Sequence, residues 1–218
     1  GILTAFAGYT CVYALNDLVD YRTDRQRFVK QLESSDAGDL DSIFLRHPIA
    51  SGRLSPAKAA IWTSIWGVVA VVGAWILNPL CILIFIAACC LEAIYCLAWQ
   101  TSYLKVFVSG GVKTAGPLAA IYAVDPSPSP YFVALVFLWL FFWEVGGQNI
   151  PNDWSDIDED RETDASTLPV RFGETISSGM VLICLSLTLC LGVVTIGLSR
   201  VPHGFACTAL PIAAAIYL

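Results

Sequence analysis

The sequence predicts an all-α, polytopic transmembrane helix bundle, and three observations predict it. Hydrophobic residues make up 56% of the 218 positions and charged residues 14%, against roughly 25% charged in soluble domains. The apolar residues gather into runs close to the roughly 20 residues that cross a bilayer. The acidic residues gather in two short motifs, each at the end of an apolar run. The chain is therefore read as an integral membrane protein. Its net charge of −6 lies largely in those motifs, and no nucleic-acid partner is expected.

About seven spans follow in order. Span A covers about 2–16 and ends at the first acidic motif. Spans B (57–77) and C (80–99) are divided by Asn78-Pro79. Span D covers 104–124 and ends at Asp125-Pro-Ser-Pro-Ser-Pro130, where the prolines cannot sustain helix hydrogen bonding. Span E covers 131–148, F 175–198, and G runs from 204 to the end. The long connections are 17–56 and 149–174. By helix parity both fall on one side of the membrane, with the 100–103 corner. That side holds Arg22, Arg25, Arg27, Lys30, Arg46, Arg53, Lys58, Lys105, Arg161 and Arg171, and the other holds only Arg200. The excess of Lys and Arg places both motifs on the cytoplasmic face, and the expected location is a bacterial inner (plasma) membrane.

No cleavable signal peptide is recognised, because the chain opens inside an apolar run without a basic leader. It has no initiator Met and stops inside another apolar run, so it reads as one transmembrane domain over 1–218, cut at both ends. The eight cysteines, Cys11, Cys81, Cys89, Cys90, Cys96, Cys184, Cys190 and Cys207, all lie in apolar segments. They read as small buried hydrophobes, not as disulfides or a zinc site.

The two acidic motifs are Asn16-Asp17-Leu18-Val19-Asp20-Tyr21-Arg22-Thr23-Asp24-Arg25 and Asn152-Asp153-Trp154-Ser155-Asp156-Ile157-Asp158-Glu159-Asp160-Arg161, the second continuing to Asp164. Both read N-D-x-x-D-x-x-x-D-R. On a helix this spacing stacks Asn16, Asp20 and Asp24 on one face, with Asp17 a turn from Asp20, and Asn152, Asp156, Asp160 and Asp164 on another. Like charges at i,i+4 repel until a cation arrives, so the two faces read as a pocket for divalent metal. Magnesium, with manganese as a substitute, suits a few carboxylates plus water and substrate phosphate oxygens. Calcium is the competing metal, since Asp156, Asp158, Asp160 and Asp164 match positions of an EF-hand loop. That loop's Gly and Glu positions, however, hold Arg161 and Thr167. The repeated motif implies two related halves with a site at their interface.

These motifs, with His47-Pro48-Ile49-Ala50-Ser51-Gly52-Arg53-Leu54-Ser55 and Thr167-Leu168-Pro169-Val170-Arg171-Phe172-Gly173, resemble the UbiA family of intramembrane prenyltransferases across essentially the whole chain. The resemblance implies nine transmembrane helices with a cytoplasmic cap, of which this chain would lack the first and last. It implies magnesium-assisted ionisation of an isoprenyl diphosphate and transfer of the prenyl group to a small, usually aromatic acceptor, as in quinone biosynthesis. Where the family often has Asn-Arg-Pro, this chain has Arg46-His47-Pro48. The loop 26–45, with Glu33, Asp36, Asp39 and Asp41, is long for the family and reads as solvated loop or part of the cap.

Site roles follow from the chemistry of a departing diphosphate, whose charge metal ions and basic groups stabilise. Asp20, Asp156, Asp160 and Lys105 are the expected catalytic set. Asn16, Asp17, Asp20, Asp24, Asp156, Asp160 and Asp164 are the expected metal ligands. Asn16, Arg53, Lys113, Asn152, Tyr13 and Arg161 are expected to bind substrate, and Arg25 is a further basic candidate. Lys113 stands inside span D, where a charge is costly unless used; the alternative is that it snorkels to the interface. Glu144 either orients an acceptor hydroxyl or reaches the surface. Tyr9, Tyr13, Tyr95, Trp99, Trp139 and Trp143 offer rings to an allylic cation or form an interfacial belt. Gly146-Gly147 allows close helix approach or a break in span E, and Pro151 favours a break. A cation-binding transporter is the alternative function, but it predicts acids deep inside spans, not at their ends.

Overall fold

The computed structural model describes residues 1–33, 48–98, 102–162 and 164–198, and every regular element among them is helical. They fall into two compact units, Gly1–Leu97 and Ala98–Leu218, and each unit holds one copy of the acidic motif.

In the first unit α1 spans Ile2–Glu33, 32 residues. It does not end at the motif, as span A was expected to, but carries the motif in its second half. No glycine or proline stands between Gly8 and Gly38 to stop it. At 1.5 Å per residue it is about 48 Å long, more than the ~30 Å hydrocarbon layer, so one helix has length for both a crossing and the motif. α2 (Pro56–Leu77) starts at a cap: the Ser55 hydroxyl accepts from Lys58 N, with Pro56 in the first turn. Such caps contribute about 1 kcal/mol. α1 and α2 approach through small residues, Gly67 meeting Cys11 and Gly73 meeting Thr4. Phe6 packs edge-on against Trp66 at 5.1 Å. Asn78 both ends α2 and starts α3 (Pro79–Ala98): its N–H bonds Ala74 O at 2.9 Å, and its Oδ1 accepts from Leu80 N at 2.9 Å.

In the second unit α4 spans Lys105–Val124 and α5 spans Pro130–Trp143. The turn between them is tied by Asp125 Oδ1, which accepts from Ser127 N at 2.9 Å. A π-helical turn, Glu144–Asn149, follows without a break, then α6 (Ile150–Ser155), α7 (Ile157–Glu162) and α8 (Leu168–Leu198). Gly146 is needed for packing: a Cβ there would run into Cys184 of α8. So Gly146-Gly147 serves close approach, and the expected break in span E is a widened helix instead. α8 includes the expected span F and begins earlier, at Leu168, with a kink at Gly173 (φ 77°, ψ 172°), a conformation that favours glycine. The core is Val106, Val145, Ile150, Leu168 and Cys184.

Among the described residues, five helical segments are long and apolar enough to cross a membrane: Ile2–Arg22, Pro56–Leu77, Pro79–Leu97, Pro130–Ser155 and Leu168–Leu198. These match five of the expected seven: A, B, C, E and F. Span D forms a 20-residue helix, α4, but its Lys105, Ser109, Gly110, Lys113 and Thr114 lower its apolar character. Several of these face the unit's interior. Span G lies outside the described residues, as do Arg46, His47, Trp99, Arg200, Cys207 and the acidic loop from 34 on. Among the cysteines, Cys11, Cys81, Cys96 and Cys184 are buried as expected. Cys90 and Cys190 are exposed on helix faces, where lipid is as acceptable a neighbour as a core.

Candidate functional site: the acidic motifs and their partners

On α1 the helical spacing holds for Asn16, Asp20 and Asp24, all half-buried. Asn16 and Asp20 look toward α3. The Asn16 Nδ2 donates to Glu92 Oε1 at 2.7 Å and to Cys96 Sγ at 3.4 Å. Asp17, next along the helix, points elsewhere. It lines a cavity of about 450 Å³ walled by Phe6, Tyr9, Tyr13 and Trp62, with Pro48 and Leu54. The first motif thus presents two polar faces. Tyr13 and Asp17 share the aromatic cavity, while Asn16 and Asp20 share the α3 side. Arg53 and Arg25 are exposed.

The second motif departs from the expected single face. α6 ends at Asp156 (φ −104°, ψ 13°) and α7 begins afresh at Ile157. Asp164 lies beyond α7 with φ 53°. The local cause is Ser155, whose hydroxyl donates to Asn152 O at 2.7 Å and sits 3.1 Å from Asp156 Oδ1. Such side-chain bonds compete with the helix ladder. Asn152, Asp156 and Asp164 are exposed, whereas Asp160 is only 3% exposed. Asp158 is 93% exposed and pairs with Arg161 at 3.4 Å. Asp158 and Asp160 therefore cannot serve one EF-hand loop, and the calcium alternative is set aside. Among the described residues, no three His, Cys, Asp or Glu side chains converge as a metal-ligand group.

The basic residues have found partners. Lys105, 3% exposed, places Nζ 3.0 Å from Asp153 Oδ1, and Asp153 is 12% exposed. The second oxygen of Asp153 is buried with no hydrogen-bond donor, and the charges of Asp160 and Asp156 act on this carboxylate. Lys113 Nζ lies 3.6 Å from Glu144 Oε2, both partly buried, so these two form one pair and neither stands alone at the surface. The Thr167–Gly173 stretch is anchored beside them: Thr167 and Leu168 are fully buried, and the Arg171 guanidinium lies over the Tyr103 ring at 5.1 Å.

Three polar residues escaped the sequence reading: Glu92, Asp153 as the partner of Lys105, and Asn149. Glu92 was detectable as an acid inside an apolar run. The need of Lys105 for a counter-ion was detectable, but not that Asp153 supplies it. Asn149, whose Nδ2 donates to Glu144 O at 2.7 Å, gave no signal, because the π turn it closes has no sequence period.

These features define a polytopic helical membrane protein with acid-rich helix ends and lysines held in ion pairs within its second unit. The family model of the UbiA prenyltransferase family matches residues 1–218, and the chain belongs to that family; it is an intramembrane prenyltransferase. Among solved structures it is similar to the apo structure of a UbiA homolog from Aeropyrum pernix K1. That likeness has 19% identity and a TM-score of 0.72, over 99% of this chain and 76% of that one. Two structures of a UbiA homolog from Archaeoglobus fulgidus are also similar. The one bound to GPP and Mg2+ has 16% identity and a TM-score of 0.69, over 100% and 75% of the two chains. The one bound to DMAPP and Mg2+ has 17% identity and a TM-score of 0.68, over 100% and 75%. Among curated protein sequences none matches this chain.

Proposed function

We propose that the chain transfers a prenyl group from an isoprenyl diphosphate to a small aromatic acceptor, with magnesium held by the acidic motifs, on the cytoplasmic side of a bacterial plasma membrane. The observation that carries this reading is the duplicated motif, with an oxygen-donor set in each unit of a chain that belongs to a prenyltransferase family. Support also comes from the Archaeoglobus fulgidus homolog, whose structures hold prenyl diphosphates with Mg2+.

The residues present fit such a metal. The donors are hard oxygens, and Asp153 keeps one buried carboxylate oxygen without a donor. Magnesium takes one or two carboxylates and completes its shell with water and phosphate, so a protein cage of three ligands is not required. In the first unit Asn16, Asp20 and Asp24 on one face and Asp17 on the other, and in the second unit Asp156, Asp160 and Asp164, are the residues that would hold metal. When bound, the metal stabilises charge on the departing diphosphate. Arg53, Arg161 and Asn152, all exposed near the motifs, bind diphosphate oxygens. Lys105 keeps Asp153 oriented and lends its charge to the same region, and Lys113 binds from its pair with Glu144. Tyr13 and its neighbours present ring faces to the allylic cation formed when the C–O bond breaks.

The test uses the full chain in proteoliposomes, radiolabelled geranyl diphosphate and a panel of aromatic acceptors, with extraction of labelled product. Transfer is expected with magnesium or manganese, to be lost in chelator, and to be poor with calcium. Asp20→Ala and Asp156→Ala are each expected to lose transfer at least about a hundredfold, the scale of removing one group that stabilises a developing anion, while still inserting. Near-wild-type turnover in either variant at normal expression would defeat the metal–diphosphate reading.

A further inference from the structure

Glu92 is an acid in the middle of an apolar helix. It lies in the membrane-crossing stretch Pro79–Leu97 and is 9% exposed. A carboxylate there is costly unless its oxygens are engaged. Its Oε1 accepts the Asn16 Nδ2 hydrogen bond at 2.7 Å. The same amide nitrogen reaches Cys96 Sγ at 3.4 Å, and the Cys96 thiol is within hydrogen-bonding reach of Asp20. Residues 16 and 20 of α1 therefore meet residues 92 and 96 of α3, each pair one helical turn apart.

An asparagine amide has a donor end and an acceptor end that look alike in shape. Only a neighbour of fixed chemistry decides which end faces which way. Glu92, as an acceptor, draws the NH2 group toward itself. The Oδ1 is thereby turned away from Glu92. We propose that Glu92 is a positioning residue for prenyl diphosphate binding: it holds the Asn16 amide so that Oδ1 is presented to the magnesium-bound diphosphate, and does not itself touch the ligand. This rests on the reading of the first motif given under Proposed function. Without Glu92 the amide adopts both orientations, and one of them offers N–H groups to a cation. Preorganisation is lost, and affinity falls with it.

The experiment measures binding, not turnover. The full chain in lipid nanodiscs is titrated, in the presence of Mg2+, with the phosphonate analogue of geranyl diphosphate in which CH2 replaces the allylic ester oxygen, so that it has no C–O bond to break. Glu92→Leu is expected to weaken binding about tenfold, the scale of one charge-assisted hydrogen bond. Glu92→Gln offers either an acceptor or a donor end, so it no longer fixes the Asn16 amide and falls between wild type and Glu92→Leu. Asn16→Ala weakens binding about tenfold, and N16A/E92L is no weaker than N16A alone, because the two residues act through one amide. N16D sets two carboxylates against each other and weakens binding. The swapped pair N16D/E92Q restores the hydrogen bond with donor and acceptor exchanged, at unchanged net charge, and recovers affinity to within about threefold. Wild-type affinity in E92L beside a weakened N16A overturns the proposal, as does full multiplication of the two effects. If E92L fails to insert, absence of recovery in N16D/E92Q overturns it instead. Normal binding by N16A with weak binding by D20A also overturns it and leaves the motif reading standing. Normal binding by N16A and D20A together removes both.

Discussion

Lys105 and Asp153 meet at 3.0 Å with little solvent around either. A buried ion pair of this kind is weak evidence for stability, since each charge loses its hydration. Breaking it is another matter. Lys105→Met leaves a buried carboxylate uncompensated and is expected to cost about 3–5 kcal/mol. The double variant K105M/D153L removes both charges and is expected to regain most of that in a thermal melt. Transfer should stay absent in both, because the region has lost its cation. If the double variant melts like K105M, the destabilisation has a source other than the unpaired Asp153. Individual residues are also where the sequence was hardest to read. Lys105 and Lys113 stood out as cations in apolar segments, but a charge announces itself without naming its partner. Asp153 and Glu144 lie far along the chain, and only the packing of α4 against the π turn and α6 joins them. Glu92 also stands out as an acid in an apolar run, and what the sequence does not name is its partner Asn16, on a different helix.

At the scale of elements, proline and asparagine punctuation was legible. Asn78-Pro79 divides α2 from α3 as expected, because the asparagine can cap both helix ends. Hydropathy also placed α2, α3 and α5 to within a few residues. It could not see that α1 runs on through its acidic half, since the end of an apolar run is not the end of a helix. Nor could it see the π turn. That turn exists because the backbone widens by one residue per turn, leaving carbonyls without their ordinary partners. Asn149, itself buried, supplies one partner to Glu144 O at 2.7 Å. Asn149→Ala removes that side-chain donor and leaves the carbonyl with the backbone bond of the π turn, so it should cost about 0.5–1.5 kcal/mol. Gly146→Ala, forced against Cys184, should cost ~1–3 kcal/mol by overpacking. Denaturation of the purified protein in nanodiscs checks both. A neutral N149A would mean that the turn is held without the side-chain bond.

At the scale of the molecule, the function depends on which side of the membrane each motif occupies. Four helices, α2 to α5, separate the first motif from the second, and an even number returns the chain to its starting side. The weak member is α4, which falls short of the apolarity of the five segments that qualify as spans. If α4 did not cross, three crossings would remain and the motifs would part company. Charge gives an independent reason to count it. With α4 crossing, Arg22, Arg25, Arg53, Lys58, Lys105, Arg161 and Arg171 share one side, as the excess of basic residues in cytoplasmic loops requires. Single cysteines tell the cases apart. Ser34→Cys, Ser127→Cys and Ser166→Cys, each in a cysteine-free background, are treated in intact cells with a membrane-impermeant thiol reagent. Ser127 is exposed in the Asp125 turn, so its cysteine is expected to react, and those at 34 and 166 are expected to be protected until the cells are opened. Reaction at only one of 34 and 166 would show that α4 or another helix fails to cross, and would end the idea that both motifs serve one diphosphate. Reaction at 34 and 166 together, with 127 protected, would keep the shared side and reverse its assignment to the cytoplasm.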